Sequence, residues 1–258
     1  MKDSFLFLGT GASSGVPVVG CSCFICKQPH PLNSRLRCSA LLKINGKKFL
    51  IDASPDFRMQ ALKIGLDHID GLLLTHTHFD HIAGLDELRV FCLREKKEIP
   101  CLLSQESFEA IKVRYPYLLQ RQEPEVSFSA KLDLHLLPEE KGEILFMGES
   151  IRYMSYFQGG MKVNGFRFKD FAYLPDISQY DDSIFEELEN VETLSIGALS
   201  EQKSKMHLSF EEAILFGRKV KAKKIFLTHM NHTVDYETFS KKLPEGVFLA
   251  YDGMEILF

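Results

Sequence analysis

Apolar positions along the chain gather into short runs, and glycine-rich or polar breaks separate them. Ser4–Gly9 (SFLFLG) is apolar and ends in glycine, the mark of a buried strand. Ser39–Ile44 and Lys48–Ile51 flank Asn45-Gly46, a dipeptide suited to the positive backbone angles of a tight hairpin. Helical spacing takes over at Pro55–Ile64, where Phe57, Ala61, Leu62 and Ile64 are apolar and Gly65 stops the run. Gly71–Thr75 is a second buried strand, followed at once by a polar, histidine-rich loop, and Leu85–Leu93 suits a helix. Two strands are expected in Glu143–Phe157, around Gly148-Glu149, and two more in Gly165–Tyr173, around Lys169-Asp170.

Downstream, the pattern alternates. A short acidic helix (Asp182–Leu188) precedes a strand (Glu192–Ile196). A helix follows over Ser209–Val220, opened by Ser209 and Glu212 as a capping box. Lys224–Thr228 is a strand that runs into a second histidine-rich loop, and two short strands close the chain. Gly9–Pro31, rich in Gly, Ser, Pro and Cys, reads as an ordered loop, and Pro100–Leu137 carries no clear pattern. No repeat, low-complexity tract or linker divides the chain. The order of elements predicts a layered α/β protein, one domain over residues 1–258, with sheets packed inside helices.

Composition narrows the classes of partner. The 258 residues are 45% hydrophobic, enough for a substantial core, with a formal net charge of −4. An acidic chain has no global attraction for nucleic acid or an anionic membrane, so a polyanion needs a local patch or a metal. Nucleic acid is therefore not the expected partner, and neither is a membrane. No apolar segment has the length of a signal peptide or a span, which points to the cytoplasm. Six cysteines in that reducing setting suggest metal binding over a disulfide framework.

The densest chemistry is Thr75-His76-Thr77-His78-Phe79-Asp80-His81, directly after a strand. Imidazole and carboxylate are ligands for zinc, iron or manganese. His76 and His78 can point one way from an extended end while Asp80 and His81 turn toward a second point, so the run can serve two metals. A solvated polar loop is the plain alternative. The second feature is Cys21-Ser22-Cys23-Phe24-Ile25-Cys26, three thiols in one loop that suggest a structural zinc lacking one ligand. Cys38, Cys92 and Cys101 have no such spacing and read as core. Gly9-Thr10-Gly11 with Gly15 has the spacing GxGxxxG and no helix after it, which argues against a dinucleotide loop. Arg35 and Arg37 could attract phosphate or be surface charges. His135, in the alternating LDLHLL segment, reads as structural.

HxHxDH after a strand resembles the signature of the metallo-β-lactamase superfamily, with later landmarks in order: Asp176 in FAYLPDIS and His229 in IFLTHMNH. The resemblance implies a four-layer αβ/βα sandwich. It assigns Asp80, His81 and His229 to one metal, and His76, His78 and Asp176, with a further His, to the other. In relatives that further His lies in a segment like HGxxxxxGFRF. Here the match begins at Gln158, whose amide is a weak, uncharged ligand. Either the amide binds weakly, or a water takes the place, or one metal is held. CxCxxC after GTGxxxGVP resembles the PhnP-like branch, which contains the cyclic phosphodiesterase of the carbon–phosphorus lyase pathway. That resemblance implies His232 as the fourth ligand to a structural zinc, Asp52 as a support for the metal loop, and His207 as a group that contacts phosphate or protonates the leaving oxygen.

The expected function is a metal-dependent hydrolase. Its expected substrate is a small cyclic phosphate or cyclic nucleotide, attacked by a water that one or two zinc or manganese ions deprotonate, with Asp80 and His207 as catalytic residues. A tRNA-processing-type nuclease and a lactone or thioester hydrolase are alternatives on the same fold. A non-catalytic zinc protein, decayed at Gln158, is a third. Dimers are common in the branch, which allows a homodimer that no surface stripe in the sequence marks.

Overall fold

The structure, a computed structural model, describes residues 2–27, 30–119 and 129–258. Residues 28–29 of the Gly9–Pro31 loop and 120–128 of the Pro100–Leu137 stretch lie outside the described residues. Two seven-stranded sheets form the centre. The first is ordered β14-β1-β2-β3-β4-β5-β6, from β1 (Ser4–Gly9), β2 (Ser39–Ile44), β3 (Lys47–Ile51), β4 (Gly71–Leu73), β5 (Ile99–Leu103), β6 (Leu132–Leu136) and β14 (Glu255–Leu257). The second is ordered β13-β12-β11-β10-β9-β8-β7, from β7 (Lys141–Phe146), β8 (Glu149–Gln158), β9 (Met161–Phe168), β10 (Phe171–Leu174), β11 (Thr193–Gly197), β12 (Lys224–Thr228) and β13 (Val247–Leu249).

Each sheet is antiparallel in one half and parallel in the other. β1–β2–β3 and β7–β8–β9–β10 pair antiparallel, whereas β3–β4–β5–β6 and β10–β11–β12–β13 run parallel. Parallel neighbours require crossovers, and those carry α2 (Phe57–Lys63), α3 (Phe79–Ile82), α4 (Arg89–Glu95), α5 (Gln105–Arg114), α6 (Ile184–Glu187), α7 (Phe210–Val220) and α8 (Tyr236–Ser240), while the single turn α1 (Phe24–Lys27) lies in the long connection from β1 to β2. None is long and apolar enough to cross a membrane.

Three apolar clusters give the layer order. Between the sheets lie Phe5, Phe49, Phe166, Phe171 and Tyr173. Phe5 stacks 4.6 Å from Phe171 and 5.0 Å from Tyr173. A second cluster packs the first sheet against Phe57, Phe91 and Ile111 of α2, α4 and α5. A third packs the other sheet against Ile184, Ala213 and Phe216 of α6 and α7. This is helix, sheet, sheet, helix: the four-layer sandwich. Each fully buried aromatic contributes about 2–3 kcal/mol from apolar area removed from water.

The expected elements hold with shifted ends. The second helix starts at Phe57, because Asp56 and Ser54 form the turn before it. Leu85–Leu88 is a 3-10 turn leading into α4, so the expected helix is two pieces. The acidic helix shrinks to one turn, α6. The capping box at Ser209 and Glu212 is present in both directions. The unreadable middle contains β5, α5 and β6, and there His135 pairs with Asp133 at 3.0 Å and packs on Phe146, apart from the histidine cluster.

Candidate metal centre

Open α/β sheets bind ligands beyond the carboxyl ends of their parallel strands, and the histidine-rich loops lie there. Asp52 follows β3, His76 follows β4, Asp176 follows β10 and His229 follows β12. Three of these, Asp52, Asp176 and His229, adopt left-handed backbone with φ of 58°, 47° and 61°. Such angles cost about 1 kcal/mol or more in a residue with a Cβ. They turn each side chain sharply away from its strand and into a common centre between the sheets.

The chain ends β4 at Leu73, earlier than the expected Thr75, because Asp52 competes for the backbone there. Asp52 Oδ1 accepts the Thr75 amide at 2.8 Å, and Oδ2 accepts the Thr75 hydroxyl at 2.7 Å. The same Oδ2 lies 2.7 Å from His81 Nδ1. With its proton given to Asp52, the Thr75 hydroxyl accepts from His76 Nδ1 at 2.9 Å. One buried carboxylate thereby orients two imidazoles and turns the Nε2 edge of each inward.

Those Nε2 atoms meet two carboxylates. His81 Nε2 lies 3.4 Å from Asp80 Oδ2 and 2.8 Å from Asp176 Oδ2. His229 Nε2 lies 3.5 Å from Asp80 Oδ2 and 2.9 Å from Asp176 Oδ1. His76 Nε2 sits 3.2 Å from Asp176 Oδ2 and 3.0 Å from His78 Nδ1. Donors of two sets converge: Asp80, His81, Asp176 and His229 within 4.8 Å of one another, and His76, His78 and Asp176 likewise. Asp176 belongs to both.

The electrostatics are those of a cation site. Burial alone would raise the Asp80 and Asp176 carboxyls. Histidine neighbours hold both below the usual carboxylate range, His229 and His81 for Asp80 and the same pair plus His76 for Asp176. Burial would lower His229, yet Asp176 and Asp80 raise it to about 9. Burial and the charge of His81 push His76 down. A divalent ion supplies that positive charge more economically than protonated imidazoles in a dry interior. His81 Nε2, His229 Nε2 and Asp176 Oδ1 are buried and face one another at ion-pair distance without a well-aligned hydrogen bond, as donors converging on a metal would. The donor set fits zinc or manganese.

His207 and Gln158 border this cluster. The His207 ring stacks on His229 with centroids 4.7 Å apart, and its Nδ1 lies 3.6 Å from Asp176 Oδ1. Burial, then the charge of His229, pushes His207 down to about 4. At neutral pH that leaves it a neutral imidazole, with one ring N–H to donate and one nitrogen free to take up a proton. Gln158 is buried at the end of β8, with its amide nitrogen 3.0 and 3.2 Å from the two His207 ring nitrogens and its carbonyl oxygen without a partner.

The thiol loop forms a second cluster. The Sγ atoms of Cys21, Cys23 and Cys26 lie 3.3, 3.5 and 3.6 Å from His232 Nδ1. A tetrahedral zinc with bonds of about 2.3 Å to sulfur and 2.05 Å to nitrogen separates those donors by roughly 3.6 Å, so this set also fits. The Cys26 backbone N–H and His232 draw the Cys23 thiol down to about 6, favouring the thiolate that zinc needs.

The Gly9-Thr10-Gly11 segment is a joint, not a nucleotide loop. Met230 N donates to Thr10 O at 2.9 Å and Ala12 N to Met230 O at 3.0 Å, which straps it to the loop carrying His229 and His232. Gly9 is required there, because a Cβ would lie 2.1 Å from Arg37 O. Neither arginine is an ordinary surface charge. Arg35 is buried, donates to Val234 O and is lowered to about 10 by burial, while Arg37 pairs with Asp56 at 2.6 Å. Cys38, Cys92 and Cys101 are buried as expected.

Sequence reasoning missed two braces of the metal loop. Asn164, on β9, donates to Thr75 O from its backbone and its amide at 2.8 and 3.1 Å, and Arg114, at the end of α5, donates to Thr77 O. Both act through backbone carbonyls, which no spacing rule records.

Comparison with known proteins agrees with the geometry. Residues 47–230 match the model of the beta-lactamase superfamily domain. The chain is 31% identical to a diphosphatase of the PhnP family whose crystal structure superposes with a TM-score of 0.89, covering 100% of this chain and 98% of that one. It is 31% identical over 255 residues to an octanoyltransferase of Porphyromonas gingivalis, covering 98% of this chain and 51% of that protein, so it spans about half the length of that relative. Zinc-bound PqqB of Methylobacterium extorquens shares the fold, with a TM-score of 0.76, 18% identity and coverage of 99% and 100%. The chain belongs to the beta-lactamase superfamily and, within it, to the PhnP family.

Proposed function

We propose that the protein hydrolyses phosphodiesters of small molecules, with cyclic phosphates and cyclic nucleotides as the leading substrates. The observation that carries this reading is the pair of donor sets sharing Asp176, with every ligand atom of each set within 4.8 Å of the others. Such a shared carboxylate suits a centre that neutralises charge on the attacking and leaving oxygens of a phosphoryl group. The likeness to a PhnP-family diphosphatase supports phosphoric substrates over lactones or thioesters. The octanoyltransferase is a protein twice as long, and its named activity is not carried over to this chain.

Asp80, His81, Asp176 and His229 would hold one zinc or manganese, and His76, His78 and Asp176 a second. When bound, the metal acidifies water and neutralises phosphoryl charge. The chain's own residues do the rest. Asp52 and Thr75 keep the His76 and His81 Nε2 edges turned inward. His207, neutral beside Asp176, donates a hydrogen bond toward a phosphoryl or leaving oxygen. An anionic substrate raises its proton affinity, which suits it to deliver a proton as the ester bond breaks. Cys21, Cys23, Cys26 and His232 would hold a structural zinc that fixes the loop carrying His229.

The test is a panel of cyclic nucleotides, a five-membered cyclic phosphate, a nucleoside diphosphate, a lactone and a thioester, followed by phosphorus NMR and by acid release. Cleavage of the cyclic phosphates is expected. If the lactone or thioester is consumed and no phosphate ester is, the reading is wrong.

A further inference from the structure

The two donor sets are unequal. The first comprises two carboxylates and two imidazoles, all buried, and the second two imidazoles plus the Asp176 carboxylate already engaged by the first. Among the described residues no fourth His, Cys, Asp or Glu donor lies within 4.8 Å of His76, His78 and Asp176 together. Gln158, buried at the end of β8, borders the cluster through His207, whose Nδ1 lies 3.6 Å from Asp176 Oδ1. It is neutral, its amide nitrogen contacts His207, and its carbonyl oxygen has no partner. A buried amide oxygen without a partner costs about 1–3 kcal/mol, so it is available to a cation, but as a donor it is poorer than imidazole for zinc or manganese.

We infer that the centre holds one divalent cation tightly, on Asp80, His81, Asp176 and His229. The His76–His78–Asp176 position is then a weak and exchangeable second site, because its own donors are two imidazoles and a shared carboxylate, and the group we assign to complete it, Gln158, is a neutral amide. This rests on the metal-ligand reading above but not on the identity of the substrate. The tight ion alone does not saturate the centre, so occupancy of the second position follows the free concentration of metal. A substrate phosphate that adds an anionic oxygen there would raise that occupancy, which couples metal loading to substrate binding.

The experiment titrates manganese(II) into protein whose buried centre has been emptied with a chelator while the thiol loop keeps its zinc. Manganese disfavours thiolates, so that loop adds nothing to the count. The free ion is followed by its electron paramagnetic resonance signal, with no substrate present. The wild-type protein is expected to show one tight equivalent and a second at least ~10-fold weaker. Gln158→His should tighten the second toward the first, and Asp80→Ala should abolish the tight one. Two equivalents of equal affinity in the wild type overturn the inference, as does a folded Gln158→His protein whose second equivalent is unchanged. Should Gln158→His fail to fold, the wild-type titration alone decides. Failure of phosphodiester cleavage would sink the functional reading and leave this result standing.

Discussion

Two clusters of side chains able to hold a metal lie on either side of one short loop. His229 and His232, three residues apart after β12, belong one to each. The thiol cluster takes three donors from the stretch Cys21–Cys26 and is partly exposed. The histidine–aspartate cluster is almost wholly buried and draws on both sheets. The difference follows from charge. Thiols at a surface can be held by neighbouring residues in a loop, since water solvates whatever the metal does not. Two carboxylates without water need donors from several directions, each fixed by a further partner. Left-handed backbone at Asp52, Asp176 and His229 serves that end, and the thiol loop uses none at its ligands.

The sharpest way to break the comparison is Asp176→Ala. Removing the residue common to both sets should lower hydrolysis at least ~10³-fold and empty the buried centre, with zinc retained in the thiol loop. Metal analysis beside the rate would expose an error if the buried centre kept its full metal. His207→Ala should follow at roughly 10²-fold in kcat, with metal content unchanged, because His207 handles a proton or a phosphoryl oxygen and not the ion. Loss of metal along with activity would make it a ligand instead.

Cys23→Ser reverses the pattern. One equivalent of zinc should disappear and Tm fall by roughly 5–10 °C, while kcat/KM drops less than ~10-fold. A collapse of activity at unchanged Tm would show that the thiol loop belongs to the reacting centre. The mildest contrast is Asp56, an ordinary ion pair nearby. Burial opposes its ionisation, but hydrogen bonds and the charge of Arg37 hold the carboxyl below 3.8. A depressed carboxyl contributes stability above its unfolded pKa and loses it as pH falls through its folded one. Asp56→Asn should therefore cost about 1 kcal/mol at pH 7 and progressively less as pH falls through the lowered folded pKa, measured by denaturant titration. A cost that persists in acid would mean that Asp56 acts through packing.

The sequence carried the layered fold because its strands were short, apolar and bounded by glycine or asparagine. The site was legible where ligands are contiguous, as in His76–His81 and Cys21–Cys26. Asp52, Asp176, His229 and His232 are single residues at strand ends, and only the family resemblance singled them out. Asn164 and Arg114 escaped because they hold backbone carbonyls, a role many side chains can fill. The middle of the chain escaped for a different reason. There α5 has little amphipathic contrast, and β6 is an edge strand with polar positions facing solvent.

The central claim is that the buried cluster is a working phosphodiesterase centre. The most direct test is hydrolysis of bis(p-nitrophenyl) phosphate by metal-stripped protein, before and after addition of manganese or zinc, with Asp80→Ala alongside. The account predicts no rate when stripped, a rate restored by metal in the wild type, and none in the variant. Restoration to the same extent in Asp80→Ala, or no activity with either metal, would contradict it.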